Sequence, residues 1–402
     1  MHNQSAYITM PKGFLAAGIR CGMKKDGDPD LSVVISTTPA NVSGVYTRNL
    51  IRGHSLKRTA RLITERGCCR GVLINSVSAN ACVGPIGDRD AEEVAAEAAK
   101  VLGTLPEDIL TCSTGVIGKR LDVEKMFLGI KSIPEHLSSS EESAHLALRA
   151  MMTTDTVPKE SSAVLSVDGD IVTIAGMAKG SGMIHPDLAT LIGVITTDAR
   201  IESKHLDTLL KNAVKHTFNR VSVDGDTSVC DTIILMANGA SGKTIEPGTE
   251  EYKRFAEALL FVSEDLSKKI AADGEGATKL IEVCVEGASS EEDALLIVRS
   301  ICRSPLCKTA IFGEDANWGR IINAAGYSGA AFDPESVDIF FDSLQMCKNG
   351  SALPFDESEA KRILSQKHII IRVRVGSGDF SDRMWTCDFS YDYVKINGSY
   401  RS

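Results

Sequence analysis

The stretch KGSGMIHPDLATLIGVITTDA, residues 179–199, joins two different kinds of chain. Its first part is glycine-rich and holds a proline, so it reads as an irregular turn; from Leu191 onward it is apolar and β-branched and reads as a strand. Upstream, 164–167 and 171–175 are two more apolar runs flanking Asp168-Gly169, a pair suited to a tight hairpin. Downstream, 203–218 places Leu206, Leu209, Leu210, Ala213 and Val214 on one helical face. Strands alternating with amphipathic helices give an α/β protein. Thr190 stands where the turn becomes the strand. A hydroxyl held there is rigidly placed to act on a bound substrate, and the same residue is also an ordinary β-branched member of a strand. The local sequence leaves both readings open.

The alternation extends both ways. The segments 31–36 and 71–77 read as strands, with a helix at 55–65 between them. Asp90 lies three residues before Glu93, a capping-box spacing that opens a helix through AEEVAAEAAKVL, stopped by Gly103. A strand at 232–236 precedes a long helix at 251–272, which ends at Asp273-Gly274. Ile281, Val283 and Val285 alternate with Glu282, Cys284 and Glu286, as in a half-buried strand, and HIIIRVRV at 368–375 supplies another. The serine run at 138–143 reads as a loop with a helix cap.

A chain of 402 residues with 43% apolar content suffices for one large domain or two ordinary ones. Its net charge of −9 is spread without an acidic or basic block, which argues against a nucleic-acid groove or a polybasic membrane surface. No run approaches the length of a membrane span and no secretory leader is legible, so the expected location is the cytoplasm. Eleven irregularly spaced cysteines without a C-x-x-C pair fit reduced thiols and no metal centre; Cys68-Cys69 reads as adjacent buried thiols.

Several stretches have the spelling of chemical sites. ANGASGKT at 237–244 has the spacing of a phosphate loop after a strand, but IEPG follows where a helix should begin, so a surface turn is the reading. Asp224-Gly-Asp226-Thr-Ser228 resembles a calcium loop, yet Val229 stands where the sharp turn needs glycine. His185 is five residues from Thr190 on an irregular turn and is not placed by sequence. STGVIG at 113–118 is a glycine-flanked turn whose hydroxyl and backbone N–H can face a developing oxyanion, or simply a tight turn. DGEGATK at 273–279 sets Glu275 between two glycines, giving either room for a close ligand or a solvated helix exit.

The order and spelling of STGVIG at 113–118, MTTDT at 152–156, KGSGMIHPDLATL at 179–191, SVDGDTS at 222–228, DGEGATKLIEV at 273–283, SPLCKTAIFGEDANWGRI at 304–321 and YDYVKINGSYR at 391–401 resemble the bifunctional ornithine acetyltransferase and glutamate N-acetyltransferase family. Seven collinear matches span nearly the whole chain. The resemblance implies a layered α/β sandwich of β-sheets between helices, of N-terminal-nucleophile type, with a smaller C-terminal α/β domain from about 282. It also implies self-cleavage between Ala189 and Thr190, giving chains 1–189 and 190–402 that stay together in a heterotetramer or larger assembly.

The same resemblance makes Thr190 the nucleophile, with its new α-amine as base. It assigns Thr114 and Gly115 to the oxyanion hole, and Thr156, Lys179, Thr190, Glu275, Asn397 and Ser402 to the substrate. The implied reaction is ping-pong transfer of an acetyl group from N2-acetylornithine to glutamate in arginine biosynthesis. No cofactor is implied beyond acetyl-CoA as an alternative donor. His185, Asp187, Leu188, the NSVSANA run at 75–81 and Cys230 depart from the family's usual spelling, and Ser402 replaces a threonine. These departures leave the identity of the amine open. An amide hydrolase or acyltransferase with another amine, and an uncleaved, non-catalytic interaction protein, are the alternatives.

Overall fold

The computed structural model describes residues 6–185 and 191–399. Asp187, Leu188, Ala189, Thr190 and Ser402 therefore lie outside the described residues. The chain divides into two compact units, Met1–Asn219 with Thr227–Leu266, and Arg220–Asp226 with Ser267–Ser402.

The larger unit is built on an eight-stranded sheet. Its strands are β1 (Phe14–Ile19), β2 (Leu31–Tyr46), β3 (Cys68–Asn75), β4 (Ile109–Ser113), β5 (Lys159–Val167), β6 (Asp170–Lys179) and β7 (Ile192–Thr197); after the short β8 (Val221–Ser222), which belongs to the smaller unit, comes β9 (Thr232–Ala237). They run in the order β4-β3-β2-β9-β7-β6-β5, with β1 also paired to β2. The long β2 pairs with β3 at Leu31–Ile35 and, after a register slip, again at Ala40 and Asn41, while Asn41–Tyr46 pair with β9. Pairs β3/β4 and β7/β9 are parallel and β6/β7 antiparallel.

Both faces of this sheet are covered, which is why its strands are apolar almost throughout. The helices here are α1 (His54–Arg66), α2 (Ile86–Leu102), α3 (Val123–Lys131), α4 (Ile133–His136), α5 (Glu141–Met151), α6 (Ser203–His216) and α7 (Glu250–Ala272), whose last residues enter the smaller unit. On one face Ala144, Leu148 and Met151 of α5 pack on Val34, Val42, Val194 and Ile234. On the other, Val94, Ala95 and Ala98 of α2 and Met126 and Ile130 of α3 pack on Leu31, Val33, Leu73 and Ile109. Alternate residues of β2 thus point into different cores.

The hairpin between β5 and β6 turns at Asp168 (φ 47°) and Gly169 (φ 83°), as their sequence requires. One expected boundary is corrected. Helix α2 begins at Ile86 and not after Asp90. Asp90 is fully buried inside the helix and accepts two hydrogen bonds of 2.8 Å from Arg120, so its carboxylate serves a tertiary ion pair and no cap. The far end matches: Gly103 adopts the left-handed conformation and its N–H donates to the Ala99 carbonyl.

In the smaller unit a seven-stranded sheet runs β13-β12-β11-β14-β10-β15-β8. Here β10 is Leu280–Ala288, β11 Asp338–Phe341, β12 Leu344–Lys348, β13 Ser351–Ala352, β14 His368–Arg374 and β15 Phe380–Cys387. Helices α8 (Glu291–Arg303), α9 (Pro305–Phe312), α10 (Trp318–Gly326) and α11 (Glu357–Leu364) accompany it, followed by α12 (Tyr391–Ser399). Ile281, Val283 and Val285 of β10 meet Ile297, Val298 and Ile301 of α8 in its core, the alternation legible in the sequence. Glu282, on the opposite face, is also buried and accepts a 3.0 Å hydrogen bond from Trp385 Nε1. Among the described residues no helix is long and apolar enough to cross a membrane, and no His, Cys, Asp and Glu cluster suits a metal. All eleven cysteines are free thiols, and burial pushes the Cys69 thiol up.

Candidate active site

In the larger unit the polar residues gather where β4, β6 and β7 begin or end. Strand β4 stops at Ser113, and the turn that follows is tied to the loop after β3. Thr114 N–H donates to the Asn75 carbonyl at 2.9 Å and Val116 N–H to the Val77 carbonyl at 3.3 Å. Between them Gly115 has φ 129°, and a Cβ there would lie 2.3 Å from the Val77 carbonyl carbon, so only glycine fits. The Gly115 N–H has no hydrogen-bond partner among the described residues. With the Thr114 N–H already committed, the donors this turn can offer are the Thr114 hydroxyl and the Gly115 N–H.

The Thr114 hydroxyl is oriented from strand β6. Lys179, the last residue of β6, is buried and its Nζ donates to Thr114 Oγ1 at 3.2 Å. An oxygen that accepts from an ammonium keeps its own proton for a further acceptor. Burial holds the Lys179 ammonium below the usual lysine range, against the pull of Asp155.

Asp155 lies in the loop between α5 and β5 and was not singled out in the sequence beyond its place in MTTDT. Its Oδ1 accepts from Lys159 Nζ at 2.6 Å and from the Gly180 N–H at 2.7 Å, and its Oδ2 from the Thr153 N–H at 3.1 Å. The Asp155 and Lys159 side chains are both wholly buried. Burial alone would push the Asp155 carboxyl up, but Lys179, Lys159 and these hydrogen bonds hold it at about 2. Thr156, the adjacent residue, is exposed.

A second buried carboxylate sits at the start of β7. Asp231, just before β9, is fully buried; its Oδ1 accepts the Leu191 N–H at 3.1 Å, and its Oδ2 has no partner among the described residues. Burial raises its pKa well above the usual carboxylate range, outweighing that hydrogen bond and the nearby Lys179 charge. The Leu191 carbonyl accepts the Thr232 N–H at 3.0 Å, so the residue after Thr190 is fastened at both of its backbone groups. Asp231 escaped the sequence reading because DTSVCDT carries no spacing that marks one aspartate as buried. His185 is half-buried.

In the smaller unit Glu275 and Asn397 meet. Asn397, on α12, donates from Nδ2 to Glu275 Oε2 at 2.8 Å, and Glu275 is only 7% exposed. A Cβ on Gly276 would lie 2.4 Å from the Tyr393 backbone nitrogen, so this glycine permits the close approach of α12. Ser390 Oγ, donating to the Gly276 carbonyl, ties the same two stretches. The result is a buried carboxylate on a fixed backbone, suited to an ammonium group.

The phosphate-loop spelling at 237–244 is a surface turn. Lys243 Nζ reaches Asp170 at 2.9 Å, and the next helix begins only at Glu250.

The model of the ArgJ family matches residues 15–402. The arginine biosynthesis bifunctional protein ArgJ of Caldanaerobacter subterraneus subsp. tengcongensis is 48% identical over 98% of both chains. Its namesake in Bacillus subtilis is 43% identical over 98% of this chain and 96% of the relative. Among solved structures, ArgJ from Bacillus halodurans is 43% identical, covering 50% of this chain and 96% of that one with a TM-score of 0.49. Ornithine acetyltransferase from Mycobacterium tuberculosis, complexed with ornithine, is 34% identical over 46% of this chain and 96% of that one, with a TM-score of 0.42.

Proposed function

The chain belongs to the ArgJ family, and on that premise we propose that it moves an acetyl group from N2-acetyl-L-ornithine to L-glutamate in arginine biosynthesis, through an acetyl ester on Thr190. The observation that carries the reading is the Thr114 and Gly115 turn: a hydroxyl polarised by a buried lysine beside an unpaired N–H. Two such donors, fixed before the reaction, are what a tetrahedral oxyanion requires.

The chain first cuts itself. Thr190 Oγ attacks the Ala189 carbonyl carbon, the Ala189–Thr190 C–N bond breaks, and the nitrogen leaves as the α-amine of Thr190. Water then hydrolyses the ester at Ala189. In turnover that α-amine, which titrates near 8, takes the Thr190 hydroxyl proton as the oxygen attacks the acetyl carbonyl. Ornithine leaves with the proton, and the glutamate amine attacks the acetyl ester in the second half-reaction. Glu275, held by Asn397, receives the ammonium end of the amino-acid substrate, and Thr156, Lys179 and Ser402 complete its binding. Acetyl-CoA is an alternative donor, and the two chains assemble as a heterotetramer or larger.

A denaturing gel of the purified protein beside Thr190→Ala tests the first step. Two fragments of 189 and 213 residues in the wild type, and one intact chain in the variant, are expected; an intact wild-type chain overturns the nucleophile assignment. Product analysis with and without glutamate then separates a transferase from a hydrolase on the same scaffold.

A further inference from the structure

The smaller unit holds a cavity whose lining includes none of the residues assigned above. It has a volume of about 520 Å³ and lies among α8, the start of α9 and the end of α10. Leu296, Arg299, Ser300 and Arg303 line it from α8. Their spacing of three, four and seven residues puts them on one stripe of that helix. Ser304 and Tyr327 contribute from the ends of the two other helices.

Its two arginines stand apart from others in the same unit. Arg220 is paired with Asp382, Arg362 with Glu359 and Arg374 with Glu286, while Arg320 donates to the Leu306 carbonyl. Neither Arg299 nor Arg303 has an ion pair or a hydrogen bond among the described residues. Arg299 Nε is moreover buried with no acceptor. A buried N–H left unsatisfied is costly, and native structures rarely keep one without a use. The chain as a whole is acidic, with 53 carboxylate and 44 Lys and Arg side chains, so two arginines four residues apart on one helix without an ion pair are not a consequence of carboxylate shortage.

The polar groups of the lining residues are partly engaged with the end of α10. Ser300 Oγ donates to the Ala324 carbonyl at 2.6 Å, Tyr327 N–H to Asn323 at 3.2 Å and Ser328 N–H to Ala325 at 3.1 Å. Three helix ends meet here, the N-terminus of α9 at Ser304 and the C-termini of α8 at Arg303 and α10 at Gly326, so the positive charge at the cavity comes from the arginine side chains. Tyr327 is 60% exposed, leaving its ring available to a ligand.

We propose that this cavity binds a small organic phosphate. Two planar guanidinium forks match phosphate oxygens in pairs. The cavity is far larger than the ion itself and of the size that holds a metabolite, with the Tyr327 ring and the Leu296 side chain to cover its organic part. The assignment is independent of the acetyl-transfer reading, because no residue of this cavity takes part in it.

The test uses the full chain with inorganic phosphate as the probe and malonate as a carboxylate control, both at fixed ionic strength. Thermal melting followed by circular dichroism, and calorimetric titration, are the readouts. Phosphate is expected to raise the melting temperature saturably and malonate much less. Arg299→Lys, which keeps the charge and loses the fork, and Arg303→Gln are each expected to weaken binding roughly 10- to 100-fold, with melting in the absence of phosphate near that of the wild type. The proposal is overturned by a wild type that shows no saturable binding, by variants that bind phosphate as well as the wild type, or by malonate that binds equally tightly.

Discussion

Replacing Thr114 by valine removes one oxygen and keeps the shape of the side chain. The backbone of the turn should survive, because it is held by the Thr114 N–H on Asn75 and by the Val116 N–H on Val77, neither of which involves the hydroxyl. Two things are lost: the donor to the oxyanion, and the acceptor that Lys179 Nζ uses at 3.2 Å. Of the two proposed oxyanion donors only the Gly115 N–H would remain. Loss of one such donor costs about 10² to 10³ in kcat, or about 3 to 4 kcal/mol of transition-state stabilisation. The missing acceptor for Lys179 adds about 1 to 3 kcal/mol of lost folding stability. Steady-state transfer from N2-acetylornithine to glutamate reads the first number and urea unfolding the second. On the proposed mechanism the Ala189 carbonyl would use the same two donors during self-cleavage, so cleavage should slow in parallel on a gel. Thr114→Ser, which restores the oxygen, should recover most of kcat. A Thr114→Val protein whose kcat stays within a few-fold of the wild type, or whose defect lies wholly in KM, would refute the role given to this hydroxyl.

Other outcomes follow from the buried charges and the ligand-facing residues. Asp155→Asn leaves Lys159 and Lys179 without their carboxylate in the interior, and should cost about 3 to 5 kcal/mol in denaturant titration. In the wild type the Asp155 carboxyl is depressed from 3.8 to about 2, so its stabilisation is complete above about pH 4 and fades as pH falls through 2. It amounts to about 2 kcal/mol, and melting curves across that window should show a loss that Asp155→Asn lacks. Gly115→Ala should abolish cleavage and destabilise the fold, because its Cβ meets the Val77 carbonyl; undiminished cleavage would show that the turn can move aside. Glu275→Gln removes the charge proposed to face the substrate ammonium and should raise KM about tenfold or more, as initial rates at varied acetylornithine will show. Lys243→Ala breaks ion pairs to the exposed Asp168 and Asp170 and should leave transfer rates unchanged.

The sequence was informative wherever one residue type does one job. The hairpin at Asp168-Gly169, the cap at Gly103 and the strand alternation of β10 depend on local φ angles and two-residue periodicity, and they lie where the pattern put them. Asp90 misled for the same reason. Its spacing from Glu93 satisfies a capping rule, but Arg120, thirty residues later, claims the carboxylate. The buried pair Asp155 and Lys159 and the carboxylate of Asp231 were equally invisible. Nothing in a linear chain distinguishes a charge that will be enclosed by other strands from one that will meet water. Lys179 and Thr114 are 65 residues apart and share a hydrogen bond only because β4 and β6 end in the same region. The motif spellings carried that proximity through family resemblance, not through any local rule.

The strand order of the larger sheet bears on what a cut at residue 189 would leave behind. Read by fragment, the order β4-β3-β2-β9-β7-β6-β5 places β9 and β7, from the second chain, between β2 and β6, from the first. The seams β2/β9 and β6/β7 each hold six paired positions. Once severed, the two polypeptides would be interleaved like the fingers of clasped hands. Neither could depart without unzipping both seams and opening the apolar layers on either side. Dissociation would then equal unfolding, and dilution alone would not separate the chains. Such a cut would remove a covalent link that the sheet has made redundant, and would free a chain end whose next residue is already fastened. A protein so built can spend its own peptide bond to make a catalytic amine and lose no architecture in doing so.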